Sequence, residues 1–241
     1  IIDTRDNRMK QTAAITVEDV SEIQEMYLDI ERNQLIAVCD GYVGGKWNDD
    51  DYGYGQRVNT TAVTYDISDR ANPKEVGRVS QSGYYNSSRI ADGYLYLFSD
   101  YYVTLDGITA KNPKSYIPLV NDNLIKETDI CLPSISKADM YSIITSVSLE
   151  NPNETAHSKA FLADGGNLYV SNDNIYFYEN VWQYSGKDVT TIRKVSYESG
   201  KLTAGAQCKI DGYINDSFSI DEYDGYLRVV VTDGDTNSVY V

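Results

Sequence analysis

Ser88-Arg89-Ile90-Ala91-Asp92-Gly93-Tyr94-Leu95-Tyr96-Leu97-Phe98 sets two apolar-rich runs on either side of an Asp-Gly pair. Asp-Gly between alternating runs predicts a β-hairpin with a type I′ turn, because both central residues of that turn need positive φ. The pattern returns three times. Ile220-Asp221-Glu222-Tyr223 leads through Asp224-Gly225 into Tyr226-Leu227-Arg228-Val229-Val230-Val231. Asn167-Leu168-Tyr169-Val170-Ser171 leads through Asn172-Asp173-Asn174 into Ile175-Tyr176-Phe177-Tyr178. Met26-Tyr27-Leu28-Asp29 leads through Glu31-Arg32-Asn33 into Gln34-Leu35-Ile36-Ala37-Val38.

A second alternating unit follows the hairpins. Thr61-Ala62-Val63-Thr64-Tyr65-Asp66-Ile67 reads as a strand, residues 68–73 as a turn, and Lys74-Glu75-Val76-Gly77-Arg78-Val79 as the return. Residues 143–149 and 191–197 repeat the strand, with turns at Glu150-Asn151-Pro152-Asn153 and Glu198-Ser199-Gly200. Hairpin plus hairpin gives four antiparallel strands, the content of one β-propeller blade. The turns recur every 50 to 80 residues, roughly, longer than common propeller repeats. Insertions at 41–56 and 102–140 account for the excess, and residues 121–128 are read as a short helix inside the second.

The expected fold is therefore all-β: a propeller of four-stranded antiparallel blades, three of them complete, with partial blades at the two termini. Residues 1–241 form one such domain or a fragment of one. Residues 237–241 read as a third strand, and residues 1–15 as the end of a third strand, a turn and a fourth. Either these ends complete one shared blade in a four-bladed ring, or the chain is a piece of a larger propeller. The second reading is preferred, since propellers run to about eight blades and an open arc exposes strand edges. Missing blades of the same protein are then expected partners.

Composition narrows function. With 36 acidic against 21 basic residues the net charge is −15, and nucleic acid or anionic membrane binding would need a basic stripe. No 18-residue apolar run occurs, so no membrane insertion is expected within this chain. Tyr dominates the aromatics, 22 against 4 Phe and 2 Trp, which suits half-exposed strands whose rings pack while the hydroxyl stays wet. Cys39, Cys131 and Cys208 form no CxxC or Cys/His cluster. They are expected to be free buried thiols, with at most one bridge, Cys39 and Cys208 sitting in apolar strand-like runs. His157, the single histidine, is expected to be an exposed strand residue.

Several stretches together resemble a bacterial β-propeller domain of secreted proteins, distantly related to WD40 repeats. They are Tyr65-Asp66-Ile67-Ser68-Asp69 with Asn72-Pro73-Lys74-Glu75, Tyr85-Asn86-Ser87-Ser88-Arg89-Ile90 before Gly93-Tyr94-Leu95-Tyr96, and Tyr116-Ile117-Pro118. Residues 167–171 also fit, as does Phe218-Ser219-Ile220-Asp221-Glu222-Tyr223 with Gly225-Tyr226-Leu227-Arg228-Val229. The resemblance implies the propeller fold and an extracellular or cell-surface location in a bacterium. It carries no catalytic residue, because the family has no assigned activity.

Two segments are candidates for ligand chemistry. The first insertion holds Trp47, the carboxylates of Asp49, Asp50 and Asp51, and Tyr52 and Tyr54; aromatic rings stack on sugar faces while carboxylates accept hydroxyl hydrogen bonds, and loops on rigid scaffolds carry function. The second is Asp233-Gly234-Asp235-Thr236-Asn237, whose Asp233, Asp235 and Asn237 place oxygens at alternate positions as a Ca²⁺ loop does. A turn between strands explains the same residues without metal. No other cofactor is indicated. These features point to a non-catalytic extracellular binding or scaffold module that recognises a protein or glycan through propeller loops. The alternative is an extracellular enzyme acting on saccharides at the propeller funnel.

Overall fold

The two Asp-Gly pairs have the backbone their turns require: φ is 51° and 78° at Asp92 and Gly93, and 52° and 77° at Asp224 and Gly225. In a computed structural model, residues 1–42, 58–103, 108–109, 111–132, 138–163, 166–181 and 188–241 are described. An N-terminal pair, β1 (Ile2–Asp3) and β2 (Lys10–Gln11), precedes blade 1. Blade 1 is β3 (Glu22–Asp29), β4 (Gln34–Tyr42), β5 (Val58–Asp66) and β6 (Lys74–Ser82). Blade 2 opens with β7 (Tyr84–Ala91) and β8 (Tyr94–Tyr102). Short strands β9 (Leu119–Val120), β10 (Asn123–Leu124) and β11 (Ile130–Cys131) come next, and β12 (Met140–Ser148) and β13 (Thr155–Ala163) complete the blade. Blade 3 is β14 (Asn167–Val170), β15 (Asn174–Val181), β16 (Val189–Glu198) and β17 (Lys201–Asp211). Blade 4 has three strands, β18 (Ile220–Tyr223), β19 (Tyr226–Asp233) and β20 (Thr236–Tyr240). Strands within each blade pair antiparallel in the order of the chain. The fold is all-β and assembled from propeller blades.

Period-two alternation decides how the blades stack. Along β8, Leu95 and Leu97 join Ile36, Val38, Ala62 and Val79 of blade 1 in one core. Tyr96 and Phe98, pointing the other way, meet Ile175, Phe177, Val195 and Leu202 of blade 3. A strand sandwiched on both faces has no polar side, which is why Leu95, Tyr96, Leu97 and Phe98 form an unbroken apolar run. Tyr176, Tyr178 and Ile192 repeat the arrangement against Val229 and Val231 of blade 4.

The second insertion departs from expectation. Residues 121–128 do not form a helix: Asn121 and Asp122 take φ of 46° and 62° and turn β9 back on β10, followed by a single 3₁₀ turn over Glu127–Asp129. Two consecutive left-handed residues suit Asn and Asp and break a right-handed helix. β9 extends the blade 1 sheet beside β6, and β11 runs parallel to β13 on the outer edge of blade 2. Val120 and Ile125 sink into the core between the blades.

The residues flanking the N-terminal pair pack with blade 1, where Ile1, Ile15 and Val17 cover Val63, Tyr65 and Ile67. No pairing joins it to β20 among the described residues. All three cysteines are free. Cys39 is buried as expected, whereas Cys208 is exposed, because β17 is the outer strand of its blade and most of its length faces solvent.

Candidate functional site

Antiparallel order gives each blade two ends. Connections from second to third strand, and from fourth strand to the next blade, leave from one; the tight hairpin turns leave from the other. Both insertions join second to third strands, β4 to β5 and β8 to β12, so both arise at the connection end. The β19–β20 turn lies there too.

A polar pair recurs near this end in every blade. Asp40 on β4 faces Thr60 on β5, Asp100 on β8 faces Ser142 on β12, Asn180 on β15 faces Thr190 on β16, and Thr232 on β19 faces Asn237 on β20. Each is hydrogen-bonded: Thr60 donates to Asp40 at 3.1 Å, Ser142 to Asp100 at 2.9 Å, Thr190 to Asn180 at 2.8 Å, and Thr232 to Asn237 at 2.8 Å. In blade 4 the amide and the hydroxyl have exchanged strands. The pairs also hold the chain as it passes to the next blade. The Thr60 and Thr190 hydroxyls share their single protons between these partners and the carbonyls of Gly83 and Gly212, which lie 2.9 and 2.7 Å away. The Tyr85 and Ile214 N–H groups donate to Asp40 and Asn180 at 2.9 and 3.1 Å. Gly83 is required there: its φ is +100°, and a Cβ would stand 2.6 Å from the Asp100 backbone. Burial raises both the Asp40 and Asp100 carboxyls above the usual carboxylate range, opposed by these hydrogen bonds.

Three exposed aromatic rings were passed over by sequence reasoning, two of them at this end. Tyr84, directly after Gly83, is 51% exposed, and Tyr102 at the end of β8 is 60% exposed. Phe218 is 96% exposed on a 3₁₀ turn between blades 3 and 4, where Asp216 caps the turn by accepting the Phe218 N–H at 2.9 Å. The available signal was a Phe set between the polar run Asn215-Asp216-Ser217 and Ser219.

Of the predicted site residues, Trp47, Asp49, Asp50, Asp51, Tyr52 and Tyr54 lie outside the described residues; the strand ends that anchor their loop, Tyr42 and Val58, are at the connection end. Asp233, Asp235 and Asn237 sit on a tight turn in which Asp233 pairs with Thr236, and one oxygen of Asn237 is engaged by Thr232. Among the described residues no group of three or more His, Cys, Asp or Glu side chains is placed to hold a metal ion. His157 is half-buried, a correction to the exposed position expected of it: the turn before β11 and the blade 3 strand β17 both close over its ring.

At the opposite end an open groove of about 530 Å³ runs between the turns of blades 1 and 2, with Arg32, Gln34, Asp66, Glu150 and Glu154 on its walls. Arg32 is already held by Asp29 at 2.9 Å. No helix among the described residues is long and apolar enough to cross a membrane.

A sequence model for a β-propeller domain family matches residues 1–241. The chain belongs to that family. A similar protein, an uncharacterized protein (MJ1554) of Methanocaldococcus jannaschii, is 33% identical to this propeller over 79 residues. The matched part is 30% of this chain and only 12% of the archaeal protein.

Proposed function

We propose that this propeller domain is an extracellular binding module whose connection end contacts a protein or glycan. One observation carries the reading: Tyr84 and Tyr102 expose their rings at the same end from which both insertions, including the Trp47 loop, arise. Exposed rings held by rigid strands supply contact area at little conformational cost, and Tyr adds a polar tip. The hydrogen-bonded Asp/Asn–hydroxyl pairs beneath give these rings a fixed platform. The extracellular bacterial setting rests on the resemblance to domains of secreted proteins, and fractionation of the source cells tests it.

Binding is tested by thermal shift of the whole chain against cell-wall and host saccharides, Ca²⁺ and EDTA. A ligand at 100 times its Kd adds about 2.7 kcal/mol to the folded state. The expected result is a saccharide-dependent rise that Tyr84→Ala, Tyr102→Ala or Trp47→Ala reduces without lowering the unliganded melting temperature by more than a degree or two. A rise that survives all three substitutions, or follows groove residues such as Glu150, would place the site elsewhere. No rise with any saccharide removes the glycan half of the reading and leaves protein recognition.

A further inference from the structure

His157 stands where three elements meet. From β13 its Nδ1 accepts the backbone N–H of Leu202 on β17 at 3.0 Å. Its Nε2 lies 3.2 Å from Asp129 Oδ1, in the turn that leads into β11. Lys159, two residues along β13, donates to the same carboxylate oxygen at 3.1 Å. Leu202 is 1% exposed and its side chain fills the seam between blades 2 and 3. β17 is the outer strand of blade 3, so this N–H meets an imidazole where an inner strand would offer it a carbonyl.

An N–H can donate to Nδ1 only while that nitrogen keeps its lone pair. The arrangement therefore selects the neutral ring with its proton on Nε2, from where it donates to Asp129. A second proton would occupy Nδ1 and face the Leu202 N–H donor to donor. We propose that His157 is a proton-sensitive fastener between blades 2 and 3: protonation releases Leu202 and leaves the ring held by Asp129 of the insertion. The charged groups around the ring are Asp129 from the insertion turn and Lys159 from β13; β17 presents backbone, with Lys201 as the preceding side chain. Protonation thus changes which element the ring ties down.

The test follows the imidazole ¹⁵N shifts of the whole chain from about pH 4 to 8, the range in which histidines ordinarily titrate. Exchange of the Leu202 amide is measured in parallel and corrected for its intrinsic pH dependence. The shifts are expected to show the Nε2–H tautomer when the ring is neutral. Leu202 protection should then fall about tenfold or more in step with ring protonation, as a buried donor loses its acceptor. His157→Asn places an oxygen near the position of Nδ1 that takes no proton, and should make Leu202 protection level across the range. Asp129→Asn should leave the loss in place, since the Leu202 N–H meets Nδ1 without help from that carboxylate. An Nδ1–H tautomer, Leu202 protection that stays flat while the native ring titrates, or the same loss in His157→Asn would each overturn the proposal.

Discussion

Asp40 in blade 1 and Asn180 in blade 3 hold the backbone of the following blade through the same contacts, one with a carboxylate and the other with an amide. Each accepts a threonine hydroxyl from the neighbouring strand and a backbone N–H from beyond the inter-blade link. Asn180 adds a bond from its amide nitrogen to the Ile214 carbonyl at 2.9 Å, while Asp40 takes a hydrogen bond from Gln24 at 3.0 Å.

The equivalence predicts the effect of Asp40→Asn. Burial raises the Asp40 carboxyl in the folded chain, so the folded state favours its neutral form. That preference helps folding fully below the usual carboxylate value and is lost as pH rises through the raised one. At pH 7 the native chain carries a poorly solvated charge that an amide avoids. Asp40→Asn is expected to raise stability at pH 7 by about 1 kcal/mol, the gain shrinking toward pH 4. Asp40→Ala, which strands the Tyr85 N–H while Thr60 keeps the Gly83 carbonyl, is expected to cost about 1–3 kcal/mol. Denaturant melts at both pH values check this; an Asp40→Asn protein less stable at pH 7 than at pH 4, relative to native, would refute the assignment.

Gly77 and Gly225 are needed for different reasons. A Cβ on Gly77 would stand 2.5–2.6 Å from Pro152, in the β12–β13 turn of the next blade. A Cβ on Gly225 would meet nothing within 4 Å, and only its φ of +77° resists a side chain. Gly77→Ala should push the turn off β6 and break the bonds of Asn153 to the Arg78 N–H and the Val76 carbonyl. Its cost, about 1–3 kcal/mol, should be non-additive with Asn153→Ala, whereas Gly225→Ala and Asn153→Ala should add. A double-mutant cycle in urea measures both.

Thiol reactivity should rank the three cysteines. Cys208 is exposed and Cys39 buried, and burial pushes the Cys39 thiol up to about 11. An aromatic disulfide reagent at pH 8 is expected to label Cys208 first, Cys131 more slowly, and Cys39 only when the chain unfolds. Labelling of Cys39 at the rate of Cys208 would contradict the packing of β4.

The Tyr96 hydroxyl accepts the Gly200 N–H at 3.0 Å inside the seam of blades 2 and 3, and its ring meets Tyr197 edge-on with centroids 4.8 Å apart. Tyr96→Phe keeps the ring and removes the acceptor, leaving a buried N–H at a cost of about 1–3 kcal/mol. A thermal melt of the variant, expected to fall by several degrees, measures the bond apart from the packing.

Much of the blade architecture was readable because its signals are local. Asp-Gly marks a turn by its φ demands, and the unbroken apolar run from Tyr94 to Phe98 that follows it marks a strand, both within a dozen residues. The polar pairs were not readable: Asp40 and Thr60 lie 20 residues apart, Asp100 and Ser142 lie 42, and Asn180 and Thr190 lie 10, so no fixed spacing reveals them. Residues 121–128 misled because a short polar stretch fits one helical turn or a tight reversal equally well. Two adjacent residues that tolerate positive φ, Asn121 and Asp122, were the overlooked clue. His157 depended on partners from a distant turn and another blade, which a single strand's pattern does not contain.

The insertion after β8 lays β9 against blade 1 and β11 against blade 2 within one short stretch of chain. Neighbouring blades otherwise meet mainly through side chains, so each could open at its own free energy. Backbone pairing to both sheets removes that independence here. Blades 1 and 2 should fray, exchange and unfold as one cooperative unit, making the smallest piece able to open on its own larger than a single repeat.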